Sequence, residues 1–512
     1  MRLRRPKFYD EFVTVPAPDR VSRAAAARAL HQQAPPAIGA EALERLVCAG
    51  HSAEVLREAP APTALAPEIA FALGRAAEDE EDFVLARQLF ERAEKSLRMD
   101  FAQRASAHLA YLAYFDGNFE AGLQRAKSLT RAADLVTRAE AVLYRSVNAM
   151  ALNRSREALD AALSATRMTA RVRLAWLRTD LRFRSSRQLV HVLIARGDYG
   201  EASAEADRAT ALARRQGTNR NLGLASYLRA LVRFSRGDRS CLALFAEADR
   251  QWGGPHHSFG RWLRYLWAAA LRDHGDPHAA RVLRLTTPVR LAWEESLFDL
   301  AAGRISLPDL SGRPADELPF LNATAGLVLY VAGDLAAART ALALAMQEFE
   351  RSELEHYRRG VALTLAAVAT QEDEREAIAR IHAELPGLTL NRLRRWPWWH
   401  LPTANRLAKF CLSKGIAVAY WRELAGSPRA NEELDDTMRG RGLTEREIEV
   451  VSTWAAHPEL TRSELAGRLR VTEATVRNLL NRARRKLGIS APRGSSALRA
   501  RLEQLAPVRL SR

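Results

Sequence analysis

Cysteine, lysine and long apolar runs are all scarce in this 512-residue chain. Its three cysteines, Cys48, Cys241 and Cys411, are scattered and odd in number. They make neither a CxxC pair nor a disulfide framework, which fits a reducing cytoplasm. No run approaches the ~18 apolar residues of a membrane-spanning helix, so no membrane partner is expected. The N-terminus, MRLRRPKFYDEFVTVPAP, is basic but has no apolar signal-peptide core. No Lys follows a Gly anywhere, which excludes the G-x-x-x-x-G-K-[ST] phosphate loop. Gly-x-Ser-x-Gly, His-Glu-x-x-His and supported carboxylate pairs are missing as well, so the sequence points to no enzyme and no cofactor. His256, His257, His274 and His278 lack regular ligand spacing, and no metal is expected.

Only six of the 77 basic residues are Lys, so the net charge of +17 partly expresses an Arg bias. Where the charge sits says more. Residues 441–512 hold 15 Lys or Arg against 7 Asp or Glu, which places +8 of the +17 in the last 72 residues. A basic balance concentrated there suggests an anionic partner. Hydrophobic content of 47% with 27% charged residues is that of an ordinary globular chain, long enough for two or more domains.

From about residue 40 to 425 Ala, Leu, Arg and Glu recur at helical spacing. One mark repeats: Gly117-Asn118, Gly197-Asp198, Gly237-Asp238, Gly275-Asp276 and Gly333-Asp334 each separate two amphipathic segments. Gly can take the left-handed conformation that closes one helix, and Asp or Asn suits the start of the next. The gap of 80 residues after the first mark has room for two units. In ALGRAAEDEEDFVLARQLFERA, Leu73 and Gly74 lie in a first helix, and Ala86, Phe90 and Ala93 line a second. ARGDYGEASAEADRA and VAGDLAAARTALALA carry the same pattern through Gly197, Tyr199, Ala202 and Ala209, and through Gly333, Leu335, Ala338 and Ala345. These units resemble tetratricopeptide repeats over roughly residues 50–385, implying an α-solenoid in which stacked hairpins bury each other's faces. The alternative is an irregular helical bundle. The Pro-rich stretch at about 286–320 reads as a loop or distorted repeat.

The boundaries expected are an N-terminal segment 1–45, a helical sensor or interaction domain 46–425, a linker 426–440 and a C-terminal domain 441–512. In that last domain three helix starts are written alike. Leu443-Thr444-Glu445-Arg446-Glu447-Ile448, Leu460-Thr461-Arg462-Ser463-Glu464-Leu465 and Val471-Thr472-Glu473-Ala474-Thr475-Val476 each set a Thr cap between apolar residues. The first two add the Glu of a capping box. Helices follow near 445–457, 462–469 and 473–487, and the tight turn between the last two predicts a helix-turn-helix. At 100° per residue Val476, Leu479, Leu480, Ala483 and Leu487 share one face of the last helix. Ala474, Arg477, Asn478, Asn481 and Arg485 gather opposite. Arg477, Asn478 and Asn481 are therefore the candidate base-reading residues, because Arg pairs with guanine edges and Asn with adenine. Thr472, Thr475, Arg482, Arg484, Arg485 and Lys486 are the candidate phosphate contacts. A solvated basic face on a structural helix is the plain alternative.

The run LTEREIEVVSTWAAHPELTRSELAGRLRVTEATVRNLLNRARRKLGI resembles the LuxR-type (GerE-like) DNA-binding domain. The match lies in Leu443, Thr444, Arg446 and Glu447, in Glu464, Leu465 and Ala466, in Thr475, Val476 and Arg477, and in Lys486, Leu487 and Gly488. It departs from that pattern at Leu479, where His is common, and at Arg482 and Ala483, where Asn and Ile are usual. The resemblance implies a small four-helix domain, double-stranded DNA as partner, and a homodimer through a fourth helix. Leu498, Leu502 and Leu505 are the candidate seam, and a monomer with that stripe packed internally is the alternative. Helical repeats ahead of such a domain resemble the large MalT-like regulators without their nucleotide-binding module. The whole is expected to be all-α and cytoplasmic, a transcription regulator whose repeats sense a peptide, protein or small molecule. The other reading is a scaffold or sigma-like factor whose helix-turn-helix contacts RNA polymerase. The Trp396–Trp399 cluster is expected to cap the end of the helical stack.

Overall fold

The computed structural model describes residues 39–57, 65–252, 258–274, 276, 278–284, 292–425, 442–456, 461–469 and 471–487, and every regular element among them is helical. The chain is an all-α protein built of helical hairpins. The first six pair α1 (Ala40–Cys48) with α2 (Ser52–Arg57), α3 (Pro67–Asp79) with α4 (Phe83–Ala93), and α5 (Met99–Phe115) with α6 (Phe119–Leu129). They continue with α7 (Leu135–Ala151) and α8 (Ser155–Thr169), α9 (Ala175–Ala195) and α10 (Tyr199–Gln216), and α11 (Asn219–Ser235) and α12 (Cys241–Trp252). Beyond them lie α13 (Ser258–Asp273), α14 (Ala279–Arg284), α15 (Ala292–Ala301), α16 (Leu318–Ala332), α17 (Leu335–Arg351) and α18 (Glu355–Ala369). Then come α19 (Glu374–Leu390), α20 (Leu401–Ser413), α21 (Val418–Ala425), α22 (Glu445–Ala456), α23 (Arg462–Arg468) and α24 (Glu473–Lys486). Two compact units divide the chain: residues 1–368 with 390–399, and residues 369–389 with 400–512.

The turns show why hairpins form. Gly117, Gly197, Gly237 and Gly333 all take positive φ, between 71° and 90°. After Gly117, Gly197 and Gly333 the next amide reaches back five residues: Asn118 N to Ala113 O at 2.9 Å, Asp198 N to Leu193 O at 2.8 Å and Asp334 N to Leu329 O at 3.0 Å. This closes the orphan carbonyls at the end of the first helix. Asp334 also caps α17 by accepting from Ala337 N at 3.0 Å, whereas the Asn118 and Asp198 side chains make no cap bond. Gly275 lies outside the described residues, as does the linker 426–440.

Small residues let the paired helices approach. Ala86, Ala93, Ala202, Ala209, Ala338 and Ala345 are fully buried, with Phe90 and Tyr199 filling the grooves between them. At Gly326 a Cβ would stand 2.4 Å from Leu342 Cγ. Gly326→Ala should therefore destabilise by about 1–3 kcal/mol of overpacking, less up to ~1 kcal/mol regained in helix propensity. A lowered melting temperature followed by circular dichroism checks it.

The first unit curls on itself. A Cβ on Gly50, in the α1–α2 turn, would meet Thr218 Cγ2 at 2.3 Å, and Asp79 on α3 pairs with Arg220 on α11 at 3.0 Å. Enclosed by this curl is a buried charge network. Arg104 on α5 donates to Glu44 on α1 at 3.0 and 2.5 Å and to Glu140 on α7 at 2.9 and 3.0 Å. Arg75 on α3 donates to Asp180 on α9 at 3.0 Å, and His108 bridges Glu78 at 2.5 Å and Glu140 at 3.3 Å. At the other end of the unit, residues 391–399 fold back on the repeats: Arg394 N donates to Arg236 O at 2.9 Å. Trp398 Nε1 donates to Thr324 Oγ1 at 2.9 Å, and its ring packs in the core shared with α15 to α18. The Pro-rich stretch resolves into α15 and an irregular connection through residues 302–317.

Candidate nucleic-acid interface

Three short helices, α22, α23 and α24, share one apolar core. Val476, Leu479, Leu480, Ala483 and Leu487 of α24 and its C-cap turn inward against Leu443, Ile448, Val451, Leu465 and Ala466. The caps that set these helices use backbone amides left free in any first helical turn. Thr461 and Glu464 form a reciprocal capping box, with Glu464 N to Thr461 Oγ1 at 3.3 Å and Thr461 N to Glu464 Oε2 at 2.7 Å. Thr444 and Glu447 repeat it at 3.3 and 2.8 Å. Thr472 accepts from Thr475 N at 3.2 Å, and the two hydroxyls lie 2.8 Å apart. Thr444→Ala should cost this domain about 1 kcal/mol. Half-buried Trp454, packed on the same core, reports the shift in a urea titration by its fluorescence.

The opposite side of α24 is bare. Ala474, Arg477, Asn478, Asn481, Arg482 and Arg485 are exposed, Arg484 is half-buried, and the one acid on this helix is Glu473 at its start. Arg477, Asn478 and Asn481 thus present donors and amides together, one turn apart, from a helix whose other face is locked in a core. Thr472 is exposed and Thr475 half-buried at the helix start.

Lys486 has a second engagement. Its Nζ donates to Glu447 Oε2 at 2.7 Å, tying the end of α24 to the start of α22, and Glu447 is almost wholly buried. Burial alone would raise the Glu447 carboxyl, but Lys486 and the Thr444 N–H hold it below its ordinary value. Arg446, a motif residue without an expected role, donates from Nη2 to Leu469 O at 3.0 Å and so fastens the end of α23 to α22. The Thr-x-Arg-Glu spacing was its signal: Arg446 and Glu447 are adjacent but point to different helices. Leu498, Leu502 and Leu505 lie outside the described residues. Among the described residues no cluster of His, Cys, Asp or Glu could hold a metal, and no helix is long and apolar enough to cross a membrane.

No protein-family model and no curated protein matches this chain. Solved structures do. A Rap protein complexed with competence and sporulation factor is 14% identical, covers 70% of this chain and 99% of its own, with a TM-score of 0.39. The Rap conjugation gene regulator of plasmid pLS20, in complex with the Phr* peptide, is 12% identical over 74% and 97% of the two chains, with a TM-score of 0.34. A human IFIT1 dimer with m7Gppp-AAAA is 14% identical over 84% and 94%, with a TM-score of 0.27.

Proposed function

We propose that this chain is a sequence-specific DNA-binding transcription regulator with a LuxR-type helix-turn-helix, in which α24 enters the major groove and the helical repeats receive the signal. The observation that carries this reading is the division of α24 into a fully packed apolar face and an exposed Arg477–Asn478–Asn481 face. A helix N-terminus with free hydroxyls, here Thr472 and Thr475, suits a phosphate at the groove edge. The signal is a peptide, protein or small molecule taken up by the repeats.

The test is selection of duplex DNA from a random pool by the full chain, followed by fluorescence anisotropy on the enriched site and a scrambled control. Specific binding at physiological salt is expected; equal affinity for both duplexes sinks the reading in favour of a scaffold with a basic face. Arg482→Ala and Arg485→Ala should weaken binding to every duplex alike and flatten the log–log salt slope by about one unit each, since each releases about one phosphate's counterions. Lys486→Ala should do less to the slope and more to stability, because Glu447 then loses its partner.

A further inference from the structure

Inside the curl of the first unit lies a cleft that DNA binding leaves unused. Tyr111, Phe183, Arg184, Arg187, Arg220 and Leu224 line it, around about 360 Å³ of atom-free space, open mouth included. Arg184, on α9, is the odd group. Both of its Nη atoms are buried, and neither has a hydrogen-bond partner. Glu78 and Asp180 come only to 3.6 Å and Glu140 to 3.9 Å, close enough for attraction but too far for a bond. Arg220 Nε is likewise buried without an acceptor.

The acids of the same walls are in a different condition. Asp180 accepts from Arg75 at 3.0 Å, Asp79 from Arg220 and from Ser52 at 3.0 Å each, and Glu78 is joined to His108 at 2.5 Å. Among the described residues, the orphaned buried polar atoms of Arg75, Arg184 and Arg220 are all guanidinium nitrogens, and no carboxylate oxygen is orphaned. A buried charged donor without an acceptor is costly. What the cleft lacks is therefore an acceptor, and a planar pair of oxygens matches the guanidinium fork best. Burial draws the Arg184 pKa down, with Arg75 beside it adding to the effect, as suits a cation whose counter-charge is incomplete.

We propose that this cleft is a carboxylate-binding site in which Arg184 is the bidentate clamp, Arg187 and Arg220 flank it, and Phe183, Tyr111 and Leu224 contact the apolar group that bears the carboxylate. The proposal deepens the reading of the repeats as the signal-receiving part, and rests on that reading for its consequence but not for binding itself. Phosphate fits less well. Glu78 and Asp180 stand close by, and a dianion meets their repulsion twice over.

Isothermal titration of the full chain without DNA tests it. Benzoate stands for a free carboxylic acid, N-acetylphenylalanine for a peptide C-terminus, N-acetylphenylalanine amide for the uncharged control, and inorganic phosphate for the other oxyanion. One or both carboxylates should bind at millimolar concentration while the amide does not, and whichever binds names the source. Arg184→Lys, which keeps the charge and loses the fork, should bind about 10- to 100-fold more weakly. Arg187→Met should weaken binding in the same direction, and helicity by circular dichroism verifies that both variants fold. Silence from both carboxylates, equal binding of the amide, tighter binding of phosphate, or an unchanged Arg184→Lys overturns the proposal. DNA affinity is measured separately on the same preparations, so failure of the cleft and failure of the DNA reading are distinguishable.

Discussion

Arg104→Met should destabilise the first unit by about 3–5 kcal/mol near pH 7, among the largest losses any single substitution here would produce. Arg104 supplies two bonds each to Glu44 and Glu140, which are 3% and 0% exposed. Removing it leaves two carboxylates in a low-dielectric interior, with Arg75 no closer than 3.4 Å to Glu44 and 3.9 Å to Glu140. Arg104→Met with Glu140→Met together should cost clearly less than the two singles summed, because no stranded charge remains. The loss also depends on pH. Burial would raise both Glu140 and Glu78, but Arg104 and His108 hold Glu140 well below its ordinary value, and His108 and Arg184 draw Glu78 down to about 2. A carboxylate depressed in the folded state stabilises above its unfolded pKa of about 4.3, and that stability drains away as pH falls from there towards the folded value. The wild type should therefore weaken between about pH 4 and 2, and the gap to Arg104→Met should narrow over the same interval. Urea denaturation at neutral pH and in acid measures both; a constant gap, or none, removes the network from the account of stability.

That network is also what the amino-acid order conceals. Arg75 and Asp180 are 105 residues apart and Arg104 and Glu44 are 60 apart. In a chain this rich in Arg and Glu, a charge turned inward by the curl looks like any solvated one. Helix-level features were far more readable, because they depend on residues within one or two turns. The five-residue back-bond that closes the hairpins is written as Gly-Asn or Gly-Asp at three of them. The same bond recurs at Asn153, φ 57°, with Arg154 N to Ala149 O at 2.9 Å, and at Glu81, φ 59°, with Asp82 N to Ala77 O at 2.9 Å. Asn153 supplies the turn that the long interval after Gly117 requires. Without a Gly these two turns have no marker, since only geometry shows which Asn or Glu has turned left-handed. On α24 periodicity alone separated the buried from the bare face, because one helix needs no knowledge of distant partners. The Trp cluster divides along the same line. Trp398 finds its acceptor in Thr324, 74 residues earlier, and so serves the core rather than a surface.

The double variant Arg477→Ala/Asn481→Ala should abolish discrimination between the selected duplex and a scrambled one. Each bidentate contact to a base edge is worth about 1–3 kcal/mol, so the pair removes roughly 2–6 kcal/mol of specific affinity if the contacts are independent. Both side chains are exposed and lie one turn apart on the face opposite Val476 and Leu480, so neither belongs to the core that holds α24 in place. Ala is moreover a better helix former than Arg or Asn. The variant should therefore melt at or slightly above the wild-type temperature while losing sequence preference. Residual binding should persist, because Arg482, Arg485 and the amides at Thr472 still meet phosphate, and its salt slope should fall by about one unit for the single cation removed. That split separates reading from holding: lost specificity with a retained, salt-sensitive residue assigns the exposed face of α24 to base contacts. A variant that keeps its preference for the selected duplex would move recognition to another surface, and one that loses all affinity together with its fold would show that these side chains support the domain itself.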